Sequence, residues 1–253
     1  MNEAIVAKDL SIAIKGKDIL TRSSFSFDKG DIVLLDGRNG TGKTTLIKVL
    51  LGRVASDVTV NGEVRICGSE NILQMKNKEL LAIQSRIACL DQKDEFESYY
   101  GIPVITHLQD SLEAFRGKKL TASDKEYIEE TFNTYLPSNA GFTLKSKISK
   151  LSGGQQRIVS IIASICLRRD SDVFFIDEPL NNLDMNAVVQ ISNILNKLRI
   201  ERPDIVMVMV SHCKIFPFIS KVATLEDGII TIRDTNLTCH ACFGQPDGDG
   251  FYE

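Results

Sequence analysis

The chain has 253 residues, 43% hydrophobic and 25% charged, with a formal net charge of −3. That length can bury a substantial core, as one large domain or as one carrying an inserted subdomain, and the slightly acidic balance gives no sign of nucleic acid as a partner. No apolar run approaches the roughly 20 residues that span a bilayer, and Glu3, Lys8 and Asp9 interrupt the stretch where a signal peptide's apolar segment would lie, so a cytosolic chain is expected.

Residues 1–35 alternate in a strand-like way through Ile5, Val6, Leu10, Ile12, Ile14, Phe25 and Phe27. Turn signals at Lys15-Gly16-Lys17 and Asp28-Lys29-Gly30 divide them into antiparallel strands. Ile32-Val33-Leu34-Leu35-Asp36 is nearly continuous in its apolar character, the pattern of a buried parallel strand. It leads into Gly37-Arg38-Asn39-Gly40-Thr41-Gly42-Lys43-Thr44-Thr45, a phosphate-binding loop with Gly37, Gly42, Lys43 and Thr44 at the spacing G-x-x-x-x-G-K-[ST]. Glycines let the backbone curl so that N–H groups point at phosphate oxygens. Lys43 brings a positive charge to the β- and γ-phosphates, and the Thr44 hydroxyl is placed to ligate Mg²⁺. Leu46, Ile47, Leu50 and Leu51 then keep helical spacing up to Gly52. Strand, loop and helix together specify a nucleoside triphosphate site, with the helix N-terminus facing the phosphates.

Val58 and Val60, then Val64 and Ile66, flank Asn61-Gly62, which predicts a two-residue hairpin. Another apolar run, 86–91, ends at Gln92. An acidic stretch to Glu97 follows, and the periodicity then turns helical. Ile105, Leu108, Leu112 and Phe115 share one helix face. Ser123 with Glu126 reads as a capping box for a second helix carrying Tyr127, Ile128, Phe132 and Tyr135 before Pro137. These helices read as an insert, about 93–165, in an α/β core. A helix from Ser152 to about Arg168 is apolar nearly all round, hence buried. Strands at 173–176 and 206–210 bracket a helix with Val188, Ile191, Leu195 and Leu198 on one face, and short strands near 222–225 and 229–232 close the pattern. Residues 236–253 show little periodicity and read as a loose tail. The six cysteines, Cys67, Cys89, Cys166, Cys213, Cys239 and Cys242, are scattered, which argues against a disulfide framework in a reducing compartment. Cys239-His240-Ala241-Cys242 offers three candidate metal ligands where a structural zinc site needs four.

The later motifs are similar, in order and over about residues 3–232, to those of the ATP-binding cassette (ABC) ATPases. Leu151-Ser152-Gly153-Gly154-Gln155 resembles the family's five-residue signature, and Val173-Phe174-Phe175-Ile176-Asp177-Glu178-Pro179 its Walker B strand with the catalytic glutamate. Asn181-Asn182-Leu183-Asp184 resembles the D-loop, Gln92 the Q-loop glutamine, and Ser211-His212 the switch histidine. The resemblance implies a cassette over 1–235, with a P-loop α/β core of mixed and parallel sheet, an antiparallel β subdomain and an α-helical subdomain. It implies ATP as substrate and Mg²⁺ held by Thr44, Asp177 and Gln92. Glu178, His212 and Gln92 would serve hydrolysis, while Ser152, Gly153, Gly154, Gln155 and Asp184 would meet nucleotide held by a second, head-to-tail subunit. It further implies a separate transmembrane permease as partner, with the chain peripheral on the inner face of the cell membrane. The alternative is a soluble cassette ATPase acting on protein partners, as in iron–sulfur cluster assembly. One departure stands out: Ile14 falls where an aromatic normally stacks on adenine, and no aromatic lies between residues 1 and 24.

Overall fold

The computed structural model describes residues 2–91, 101–211 and 216–235. The alternating N-terminal segments form β1 (Glu3–Ile14) and β2 (Lys17–Asp28), joined at Lys15-Gly16. Residues 58–66 are a single strand, β4 (Val58–Ile66), so the hairpin predicted at Asn61-Gly62 does not form. β1 is the central strand of an antiparallel sheet ordered β2-β1-β4. The reason lies in β1. Lys8 pairs with Glu63 and Ser11 with Asn61, so Asp9 and Leu10 face Gly62 alone. Asp9 takes φ +48° and Gly62 φ +106° to accommodate this bulge. A Cβ on Gly62 would sit 2.6 Å from the Asp9 carbonyl oxygen. Gly62 here marks a close backbone approach, a use of strand glycine that local sequence does not separate from a turn.

The second sheet contains β3 (Ile32–Asp36), β5 (Ile87–Leu90), β6 (Val173–Asp177), β7 (Val206–Val210), β8 (Lys221–Glu226) and β9 (Ile229–Asp234). Its order is β5-β6-β7-β3-β8-β9, all parallel except β9, which runs antiparallel to β8. Strand alternation divides its side chains between two cores. Phe174, Ile176, Met207, Met209, Ile32 and Leu34 face the core that holds the larger helices. Val173, Phe175, Val206, Val208, Val33 and Leu35 face the core shared with the antiparallel sheet. Burial on both faces explains why these strands read as unbroken apolar runs.

The helices are α1 (Lys43–Leu50), α2 (Asn77–Gln84), α3 (Val104–Arg116), α4 (Ala122–Tyr135), α5 (Gly153–Ser164) and α6 (Met185–Glu201). The faces expected for α3, α4 and α6 turn inward: Leu108, Leu112, Ile128, Phe132, Ile191, Leu195 and Leu198 are buried. The cap of α4 lies two residues earlier than expected. Thr121 takes the capping role with Asp124, and the Asp124 carboxylate is also paired to Arg116 of α3. α5 stops at Ser164, and a 3-10 turn over Cys166–Arg168 completes the stretch expected as one helix. α2 was not foreseen, for it buries no residue and so leaves no apolar stripe in the sequence.

Candidate functional site

Parallel pairing brings the ends of β3, β6 and β7 to one edge, with Asp177 opposite Val210 and Val210 opposite Leu35. The chain leaves β3 there through the glycine-rich loop. A Cβ on Gly37 would run into the Leu225 carbonyl oxygen, and one on Gly42 into the Ile19 side chain. Both residues also hold positive φ, +142° and +101°, so glycine is required on two counts. Gly42 precedes α1, whose N-terminus has no side-chain cap and no acidic residue in its first turn. By contrast Thr121, Ser152 and Asp184 cap α4, α5 and α6. The first N–H groups of α1 therefore face the cavity unclaimed by a side chain, as an anion site requires.

A cavity of about 500 Å³ lies at this edge, lined by Asn39, Gly40, Gly42, Lys43, Thr44, Thr45, Asp177, Glu178, Asn181, Val210, Ile14 and Ile19. Lys43 is only 8% exposed, and its ammonium donates to the carbonyls of Gly37 (2.6 Å) and Arg38 (3.0 Å), drawing the loop closed over the start of α1. The Thr44 hydroxyl donates to Asp177 Oδ2 at 2.9 Å, across 133 positions of sequence. Asp177 Oδ1 is buried with no hydrogen-bond partner. Burial raises the pKa of Asp177 above its ordinary value, and the Thr44 hydroxyl opposes that shift. Glu178 is buried at φ +48°, with its N–H donating to the Val210 carbonyl oxygen at 2.9 Å.

The remaining expected residues sit elsewhere. Arg38 points to Glu226 at 4.0 Å, and the Thr41 hydroxyl donates to the Arg38 carbonyl. Ser152 and Gln155 cap α5 reciprocally, and Gln155 Nε2 donates to the Ala140 carbonyl oxygen at 2.8 Å. Gly153 has open space around it. A Cβ on Gly154 would lie 2.6 Å from that of Ala187, so glycine lets α5 approach the start of α6. The Asp184 carboxylate accepts from the Ala187 N–H at 2.9 Å. Ser152, Gly153, Gly154, Gln155 and Asp184 do not line the cavity. Gln92, His212 and the tail residues Cys239, His240 and Cys242 lie outside the described residues. Two contributors were not foreseen from sequence. Ile19 lines the cavity beside Ile14, and Arg157 lies buried behind Asp177 and Glu178. Ile19 was an apolar residue in a strand pattern, and Arg157 a basic residue on an apolar helix.

A family model described as ABC transporter matches residues 20–181. The lipoprotein-releasing system ATP-binding protein LolD of Aquifex aeolicus is 31% identical over 214 residues, 84% of this chain and 88% of the relative. The zinc import ATP-binding protein ZnuC of Wolbachia pipientis is 26% identical over 97% of this chain and 85% of the relative. Against an ABC transporter ATP-binding protein of Saccharolobus solfataricus, 26% identical, the chain spans only 41% of the relative's length. Among solved structures, an ATP-binding cassette of an ABC transporter in its ADP conformation superposes with a TM-score of 0.75 at 20% identity, covering 93% of this chain and 92% of that one. CbiO1 of Clostridium perfringens, part of the ABC transporter complex cbiONQ, gives 0.74 at 19% identity over 92% of this chain and 89% of that one. At these identities the structural likeness speaks to the fold.

Proposed function

The chain belongs to the ABC transporter family, and on that premise we propose that it is the ATP-binding subunit of a transporter, hydrolysing ATP to energise transport through a separate permease. The observation that supports this most is the meeting of Lys43, Thr44, Asp177 and Glu178 around one cavity at the uncapped start of α1. The loop from Gly37 through Arg38, Asn39, Gly40 and Thr41 to Gly42, with Thr45 behind it, cradles the phosphates. Lys43 balances their charge.

Asp177 and Thr44 fit Mg²⁺. Asp177 Oδ1 is buried without a hydrogen-bond partner, and its Oδ2 already draws the Thr44 hydroxyl alongside. That is the oxygen donor set of a hard cation. Bound there, Mg²⁺ supplies neutralisation of charge on the phosphoryl oxygens. Glu178 orients the attacking water and takes its proton, which suits a reaction governed by positioning and charge stabilisation. Gln92 is assigned to both cation and water, and His212 to the γ-phosphate, on the resemblance alone.

The signature residues Ser152, Gly153, Gly154 and Gln155 stand away from the cavity, so their nucleotide is one held by a second subunit, arranged head-to-tail. Asp184 caps the neighbouring helix and supports that joint. In this reading residues 1–235 form the cassette, 93–165 its helical subdomain and 236–253 a tail. Among the described residues no helix is long and apolar enough to cross a membrane. The subunit sits on the inner face of the cell membrane, with its helical subdomain against the permease and no nucleic-acid partner.

Glu178→Gln should keep ATP binding and lower hydrolysis by roughly 100-fold or more, the loss expected for a positioned general base. Steady-state ATPase and nucleotide titration read both quantities. Undiminished turnover would remove Glu178 from the mechanism. Recovery with soluble assembly proteins, away from membranes under all conditions, would favour a cytosolic machine instead.

A further inference from the structure

Arg157 lies within α5, five positions after the capping Ser152, and is 5% exposed. Its guanidinium faces the turn that leaves β6. Nη2 donates to the carbonyl oxygens of Asp177 (3.1 Å) and Glu178 (3.0 Å), and Nε to that of Pro179 (3.2 Å). Nη1 reaches the Asp91 carbonyl oxygen at 3.2 Å, just past β5. One side chain thus gathers four main-chain carbonyls from the ends of two parallel strands. Ladder bonds have stopped there, and buried carbonyls still need donors.

The residue at the centre of this fan is strained. Glu178 holds φ +48°, a region sparsely populated by residues with a Cβ, and such strain persists only where the surroundings enforce it. β7 grips the Glu178 N–H through the Val210 carbonyl, and Arg157 grips its C=O. Backbone held at both ends fixes the direction of the Cα–Cβ bond, and so the side from which the Glu178 side chain enters the cavity it lines.

We propose that Arg157 is a positioning residue for hydrolysis: its guanidinium locks the left-handed turn that aims Glu178 into the cavity, and ties that turn to the helix capped by Ser152. The inference rests on the ATPase reading above. Arginine is required because its rigid planar fork offers five N–H donors in fixed directions. Lysine has one nitrogen and cannot reach all four oxygens together.

The test uses the full chain with Arg157→Lys and Arg157→Gln, each alone and combined with Glu178→Gln. Single-turnover ATP hydrolysis, nucleotide affinity and cooperative melting are read for all. The expected result is a folded Arg157→Lys chain with ATP affinity within about threefold of wild type and a hydrolysis rate down roughly 10–100-fold. That range spans loss of alignment at a general base. In the Glu178→Gln background the same substitution should cost less than about threefold, because a group acting through Glu178 has nothing left to position. An equal proportional loss in both backgrounds, or an unchanged rate in Arg157→Lys, overturns the proposal. Loss of cooperative melting in both Arg157 variants leaves a structural role alone and also overturns it. Absence of any wild-type hydrolysis that depends on Glu178 would instead sink the ATPase reading, and this inference with it.

Discussion

At the scale of single residues, the conflict between burial and ionisation is plainest at Asp177. Its carboxyl is buried, one oxygen lacks a partner, and its pKa is raised by desolvation against the opposing Thr44 bond. A raised pKa means that the folded chain favours the protonated acid. That contribution to stability is full below the ordinary carboxylate value and is lost as pH rises through the folded pKa. Asp177→Asn removes the ionisation. At neutral pH without metal it should melt higher, by about 2–4 °C for each kcal/mol recovered in a chain of this size. The advantage should vanish below the ordinary carboxylate pKa, and the variant should lose Mg²⁺-dependent hydrolysis. Melting curves across pH with a chelator present check the sign.

The other residue-scale feature is the cavity wall where Ile14 and Ile19 stand. Two aliphatic side chains offer apolar contact without a π-face or a polar atom to read a base edge. Aromatic stacking on a base is worth about 1–3 kcal/mol by alanine substitution in other settings. ATP and GTP should therefore bind with similar affinity. Ile14→Tyr should tighten ATP by up to about tenfold, 1.4 kcal/mol being one decade. Titration of both nucleotides in the Glu178→Gln background decides, and strong ATP preference without gain from tyrosine would refute it.

Among elements, helix starts differ in what meets their first N–H groups: α3, also without a side-chain cap, gives the Val104 and Ile105 N–H groups to the Ser146 and Leu144 carbonyl oxygens. α4, α5 and α6 satisfy their first turns with Thr121, Ser152 and Asp184, whereas α1 opens on Gly42 with none. The strands carry a subtler device. β1 and β4 stay continuous only because Gly62 lets the Asp9 bulge press against it, with the Lys8 and Asp9 carbonyl oxygens within 2.7 Å of where a Cβ would be. Gly62→Val should destabilise by about 2–4 kcal/mol, combining a strained φ for a β-branched residue with a main-chain collision. Chemical denaturation measures it. A cost below about 1 kcal/mol would show that the bulge migrates.

For the whole molecule, the cavity and the signature residues at the start of α5 stand apart. The cavity gathers the loop, Asp177 and Glu178, while α5 presents its capped N-terminus elsewhere. A second chain placed head-to-tail would complete each site with the other's α5. The Glu178→Gln chain, with hydrolysis slowed as proposed, should then elute as a dimer with ATP and as a monomer without it. A nucleotide-independent elution position would count against the joint.

Local pattern in the sequence determined the loop from Gly37 to Thr45, the apolar strands β3, β6 and β7, and the inward faces of α3, α4 and α6. Each depends on neighbours within a few positions: φ demands on glycine, periods of two and 3.6, burial on both faces of a strand. The family order of motifs added Asp177, Glu178 and the start of α5. Tertiary structure alone decided that Asn61-Gly62 continues a strand opposite the β1 bulge, since the backbone that needs the glycine lies more than fifty positions away at Asp9. It alone decided that Thr44 meets Asp177, that Ile19 stands beside Ile14, and that Arg157 spans the ends of β5 and β6. Those contacts join residues by strand order in a sheet, and strand order is set by how whole faces pack, which no local window of sequence contains.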